Sequence, residues 1–121
     1  MIDIVYRQSD NSHSLSLRGH AGYHAGNDIV CAGVSAIVFS LLGYIDDHEH
    51  EISGLRMHVD NGDTDISCRE ADSNTATAFE MAVIGLAQIA KAYPENVAIT
   101  ISSAIGGDSR EQTARKERRH A

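Results

Sequence analysis

Two residues, His20 and Cys31, have types and positions suited to nucleophilic chemistry. His20 follows a stretch of alternating residues, at the point where a strand should end. Cys31 lies about three residues into an apolar run that starts after Asp28, so a helix beginning there puts the thiol in its first turn. Helix N-termini gather amide donors and the positive end of the dipole, and both favour a thiolate over a thiol. That preference matters, because an ordinary thiol of pKa ~8.5 is only about 3% ionised at pH 7. An imidazole brought alongside could take the proton and later return it to a leaving amine, which is the chemistry of a Cys-His dyad. The same residues also have a plainer reading. A cysteine on an apolar helix is commonly a small core residue, and a histidine in a glycine-rich loop is commonly a turn residue. Pattern alone does not choose between them.

The neighbours of this pair leave alternatives open. Asp28 either caps the helix and so fixes the position of Cys31, or orients His20 as a third catalytic group. The cap is favoured, because a carboxylate beside the thiol would oppose its ionisation. Ser35 lies one turn beyond Cys31 on the same face, either bonding near the thiol or packing as an ordinary helix serine. His24 competes with His20 as the base. His20, His24 and Asp28 recur at intervals of four, and Asp46-Asp-His-Glu-His-Glu51 is rich in metal-ligand types. The first set, however, falls in a glycine-rich loop, where that interval does not share a face, and the second reads as a solvated connector. Neither a metal nor another cofactor is expected. Cys68, in an expected strand, reads as structural.

These groups need a scaffold. Ile2, Ile4 and Tyr6 alternate over residues 2–8, and Leu15 and Leu17 over 13–18, which predicts two strands around an Asp10-Asn11-Ser12 turn. The stretch from Gly19 to Asn27 has no period and is read as a loop, with its glycines and alanines suggesting that it closes over a bound peptide. Ile29 to about Asp46 is apolar nearly all round, as for a helix buried against a sheet. Asn61-Gly62 predicts a type I′ hairpin joining strands near 52–59 and 64–69. A second helix starts near Asp72 or Ser73, carries Phe79, Ala82, Val83, Leu86, Ile89, Ala90 and Tyr93 on one face, and ends at Pro94. Val97, Ile99 and Ile101 alternate in a last strand. The order β-β-α-β-β-α-β predicts an α+β, two-layer fold, with two helices on one face of a mainly antiparallel five-stranded sheet. The domain is placed at residues 1–105 and a basic tail, read as a disordered end, at 106–121.

Composition narrows the function classes. The 121 residues carry a formal charge of −7, but from Arg110 onward the balance is positive, so an acidic body is joined to a basic tail. An apolar fraction of 42% with 22% charged residues indicates a soluble globular chain. The longest apolar run, Ile29 to Ile45, is interrupted by Gly33, Ser35, Ser40 and Gly43 and is read as falling short of a membrane span of about 20 residues. No secretory signal is visible, which predicts a cytoplasmic protein with both cysteines as thiols. The acidic body argues against a general grip on nucleic acid and leaves only the tail as a candidate for phosphate contacts.

The run Gly19-His-Ala, then Gly26, then Asp28-Ile-Val-Cys-Ala-Gly-Val-Ser35 resembles the paired motif of the ribosomal-processing cysteine proteases, the Prp family. The resemblance extends over about residues 1–102, and the basic tail is not a feature of the family. It implies peptide-bond hydrolysis, with Cys31 as nucleophile and His20, rather than His24, as general base. It also implies a substrate, the N-terminal extension of large-subunit ribosomal protein twenty-seven, and a homodimer. The non-enzymatic rival is a ribosome-associated binding or assembly module whose tail contacts RNA.

Overall fold

The computed structural model describes residues 1–20 and 28–103. Strands β1 (Ile2–Ser9) and β2 (Ser12–Gly19) form a hairpin, followed by α1 (Asp28–His48) and a 3-10 turn (Glu49–Glu51). A second hairpin, β3 (Arg56–Asp60) and β4 (Asp63–Cys68), leads into α2 (Ser73–Ala92) and β5 (Val97–Ser103). This is the expected β-β-α-β-β-α-β order. The strands lie side by side as β3-β4-β2-β1-β5, with β1 and β5 parallel and the other pairs antiparallel. Each helix is therefore a crossover between strands running the same way, α1 from β2 to β3 and α2 from β4 to β5. Parallel strands need such a connection, since no tight turn can join them.

Strand period and register together build the core. Ile4 pairs with Leu17, and Leu15 with Ile66, so the alternating residues of neighbouring strands share one face. Ile2, Ile4, Tyr6, Leu15, Leu17, Ile66, Val97 and Ile101 are all buried there. Val30, Val34, Val38, Leu41 and Ile45 of α1 pack onto it at helical spacing, as do Phe79, Ala82, Val83 and Leu86 of α2. Asp72 caps α2 by accepting the Thr75 amide at 2.8 Å, which satisfies one of the donors every helix start leaves over. Hydrogen bonding from the Thr75 side chain, and then from its amide, holds the Asp72 carboxyl below its usual range.

Several expectations change. Helix α1 is not buried all round: Ile29 and Phe39 are 67% and 63% exposed, because the sheet covers one face of the helix and α2 flanks it. It also runs on through Asp46–His48, so by length and hydropathy it is as long and apolar as a membrane-crossing helix. Its five buried residues tie it to the sheet instead. The second hairpin begins at Arg56 rather than 52, because residues 49–51 form the 3-10 turn and Ser53 makes only an isolated bridge to Glu70. Its turn is not type I′: Gly62 has φ +72°, whereas Asp10 is the only non-glycine with positive φ among the described residues. The Asp60 carboxylate accepts the Asn61 amide at 2.8 Å and Gly19 donates to the Gly62 carbonyl at 2.9 Å, so the turn is fastened from outside. Tyr93 leaves the apolar face of α2 and is 42% exposed, since it lies past the last helical turn. The loop at 21–27, His24, the capping or orienting role of Asp28, the boundary at 105 and the basic tail lie outside the described residues.

One buried histidine was not anticipated. His13 is 2% exposed, its Nδ1 lies 2.5 Å from the Tyr6 hydroxyl, and its ring stacks on Phe79 at 5.0 Å. Its strand period with Leu15 and Leu17 is the signal that could have found it. Burial pushes the His13 pKa below its usual value, and burial also raises the Tyr6 hydroxyl and the Cys68 thiol. With the folded pKa below the unfolded value of about 6.5, the unfolded chain binds more protons between the two. Stability therefore falls as pH drops below about 6.5, at up to about 1.4 kcal/mol per pH unit. Urea midpoints of wild type and His13→Gln, compared at pH 7.5 and 5.5, should show a smaller loss on acidification in the variant. Equal losses would remove His13 as the cause.

Candidate active site

Strand β2 carries its alternation to Leu17 and then turns sharply at Gly19, whose φ of +95° is one that L side chains rarely adopt. A Cβ there would also strike the Met1 carbonyl. The turn delivers His20 to the end of the sheet, where its carbonyl accepts from the Met1 nitrogen at 2.6 Å and its side chain is exposed. Cys31 is the fourth residue of α1, half-buried against the core cluster and not in a disulfide. Ser35 follows one turn later and is exposed.

His20, Cys31 and Ser35 line one cleft of about 460 Å³. Its helical wall is completed by Val34, Val38 and Phe39, and its opposite wall by Leu17, Val59 and the β3–β4 turn from Asp60 to Thr64. The structure thus brings together the two expected site residues and the serine beside them. Cys68 is 2% exposed, on the core face of β4, and takes no part in this cleft.

The turn is the part that sequence reasoning missed. Asn-Gly signals a bend, but nothing local says which strand end the bend will face. Arg18 holds it there: its guanidinium pairs with Asp63 at 3.0 Å and Asp65 at 2.9 Å and donates to the Leu17 and Thr64 carbonyls. The Ser16 hydroxyl, at 2.7 Å, and Arg18 hold the Asp65 carboxyl below its usual range. These pairs are partly exposed, and their value is in orientation more than in stability. Asp60 and Asp63 both line the cleft, and Arg18 pairs with Asp63 and Asp65, so three carboxylates stand here against one guanidinium and this rim is acidic.

A small acidic-rimmed cleft with a thiol at a helix start and an imidazole across from it is an arrangement suited to acyl transfer. Comparison with known families agrees. Residues 1–98 match the family described as cysteine protease Prp. The chain belongs to that family. It is accordingly a cysteine protease, and the non-catalytic rival gives way. Among solved structures, this Prp-family chain is similar to SMU.848 from Streptococcus mutans, with a TM-score of 0.66 at 26% identity over 85% of this chain and 95% of that one. It is also similar to an essential ribosomal processing protease, Prp from S. aureus, in complex with a covalently linked product peptide. There the TM-score is 0.66 at 25% identity, over 84% of this chain and 99% of that one. The S. aureus protease with a substrate peptide shares the fold, with a TM-score of 0.63 at 24% identity over 84% and 99% of the two chains. No curated protein matches the sequence.

Proposed function

We propose that this protease removes the N-terminal extension of large-subunit ribosomal protein twenty-seven in the cytoplasm, using Cys31 as nucleophile and His20 as general base. The observation that carries the reading is that both side chains, from different elements, line one cleft. In the first half-reaction the Cys31 Sγ attacks the scissile carbonyl carbon while His20 takes the thiol proton. The amide N–H groups at the start of α1, which have no intrahelical acceptor, are the donors this reading assigns to the oxyanion. Collapse of the tetrahedral intermediate breaks the C–N bond, and His20 returns the proton to the leaving amine. Water, deprotonated by His20, then hydrolyses the thioester and regenerates the thiol.

The acidic rim at Asp60 and Asp63 supports a basic substrate, since opposite charge steers encounter more than it adds affinity. The S. aureus relative, named as a ribosomal processing protease and solved with a product peptide, supports the same substrate class. Incubation with the unprocessed ribosomal protein, followed by mass measurement, should show two fragments. An uncut substrate would remove it from this assignment.

A homodimer is part of the same reading. Ile29, Ala32, Ala36 and Phe39 form an exposed apolar stripe along α1, and a second copy would cover it. Sedimentation should give twice the chain mass and, for Phe39→Glu, the mass of one chain. A monomeric wild type would exclude it.

A further inference from the structure

The β3–β4 turn supplies no group to the dyad, yet His20 rests on it. A Cβ added to Gly62 would lie 2.6 Å from His20 Nε2, 2.9 Å from Cε1 and 3.3 Å from Cδ2. The imidazole therefore occupies the space that any side chain at 62 would fill. Gly62 also has φ +72°, and its carbonyl accepts the amide of Gly19, the residue before His20. Next to it Asp63 is ion-paired with Arg18, which also donates to Thr64. Residues 18–20 and 62–64 are thus one fastened unit, and the ring lies on its surface toward the cleft.

We propose that Gly62 is a positioning residue for His20, its missing side chain being what lets the imidazole sit in the cleft. The proposal rests on the dyad reading above. The His20 ring turns about two bonds, so a Cβ at 62 would push it aside rather than break the fold. Misplacing a reacting group by about 1 Å costs on the order of 100-fold in rate.

In the full-length protein, Gly62→Ala is expected to lower kcat for peptide cleavage about 100-fold with little change in KM. Alkylation of Cys31 by iodoacetamide at pH 7, read by peptide mass, should slow to the rate of His20→Ala. In a His20→Ala background Gly62→Ala should change neither quantity, because the ring it displaces is gone. Gly62→Asn, which tolerates positive φ but carries a Cβ, should lose the same activity and replaces the alanine variant if that one does not fold. Gly54→Ala, at φ +68° and away from the cleft, should keep wild-type kcat and so separates backbone strain from ring displacement. A Gly62→Asn protein with wild-type kcat, or losses that add to those of His20→Ala, would overturn the proposal. Failure of both Gly62 variants to fold would do the same, by making the glycine a folding requirement. Wild-type kcat in His20→Ala would instead overturn the dyad reading itself.

Discussion

Replacing Cys31 by alanine is expected to abolish cleavage of the unprocessed ribosomal protein while leaving the fold intact. Removing the nucleophile of a covalent mechanism costs about 10⁴- to 10⁶-fold in kcat, because what remains is binding and oxyanion stabilisation without a bond-forming group. The structural cost is small. Cys31 is half-buried on the wall of the cleft, and one sulfur atom is lost there rather than from the closed core. His20→Ala should fall less far, by about 10²- to 10⁴-fold, since a general base accelerates proton transfer without forming the new bond. Rates from a quenched peptide spanning the cleavage site, with thermal melts of the same preparations, read both quantities. A Cys31→Ala protein that cleaves at even a hundredth of the wild-type rate would exclude this thiol as the nucleophile.

The largest stability effect is expected at the other end of the sheet. Phe79 is fully buried and stacks on His13 at 5.0 Å and on Tyr6 at 6.4 Å, so it fills the space between α2 and the β1–β2 hairpin. Phe79→Ala should cost about 3–5 kcal/mol, the transfer of the ring plus the cavity it leaves. Against a total of roughly 5–15 kcal/mol for a domain, that is enough to populate the unfolded chain near physiological temperature. The cavity also opens onto the buried imidazole of His13; relieving part of the desolvation that lowers its pKa should make the variant lose less further stability between pH 7.5 and 5.5 than wild type does. Gln88→Ala, exposed on the same helix, should shift stability by no more than about 0.5 kcal/mol. Guanidinium titration decides it: a Phe79→Ala loss below 1 kcal/mol would show that the site collapses around the gap or that Phe79 is not the keystone its burial indicates.

The two effects separate because the protein is divided along its length. The proposed chemistry is placed where strand ends meet the start of α1, among exposed or half-buried groups held by Arg18 and by backbone bonds at Gly19 and Gly62. Stability collects around Phe79, Leu86, Leu15 and Ile66, all closed to solvent. Substitutions at the cleft can therefore change rate with little effect on folding, which is what makes the Cys31 and Gly62 variants interpretable.

Much of this was legible in the residue order alone. Alternation in Ile2, Ile4, Tyr6 and in Leu15, Leu17 identified strands and their inner faces, because each side chain on a strand faces opposite to the next whatever the partner. The spacing of Phe79, Ala82, Val83 and Leu86 identified the inner face of α2 for the same local reason, and Asp28-Ile-Val-Cys set a thiol at a helix start. Those features depend on dihedral angles and neighbours a few residues away, and they carry the element order and the candidate pair. What the tertiary structure decided is everything that depends on a partner distant in the chain. Pairing Leu17 with Thr64 and Arg18 with Asp63 brings the β3–β4 turn beneath His20, and no periodicity within either hairpin specifies that register. Covering α1 on one face only leaves Ile29 and Phe39 exposed, although the helix reads as apolar all round. Stacking of Phe79 on His13 turns a polar strand residue into part of the core. Local sequence determines which way a side chain points from its own element; only long-range packing determines what it then meets.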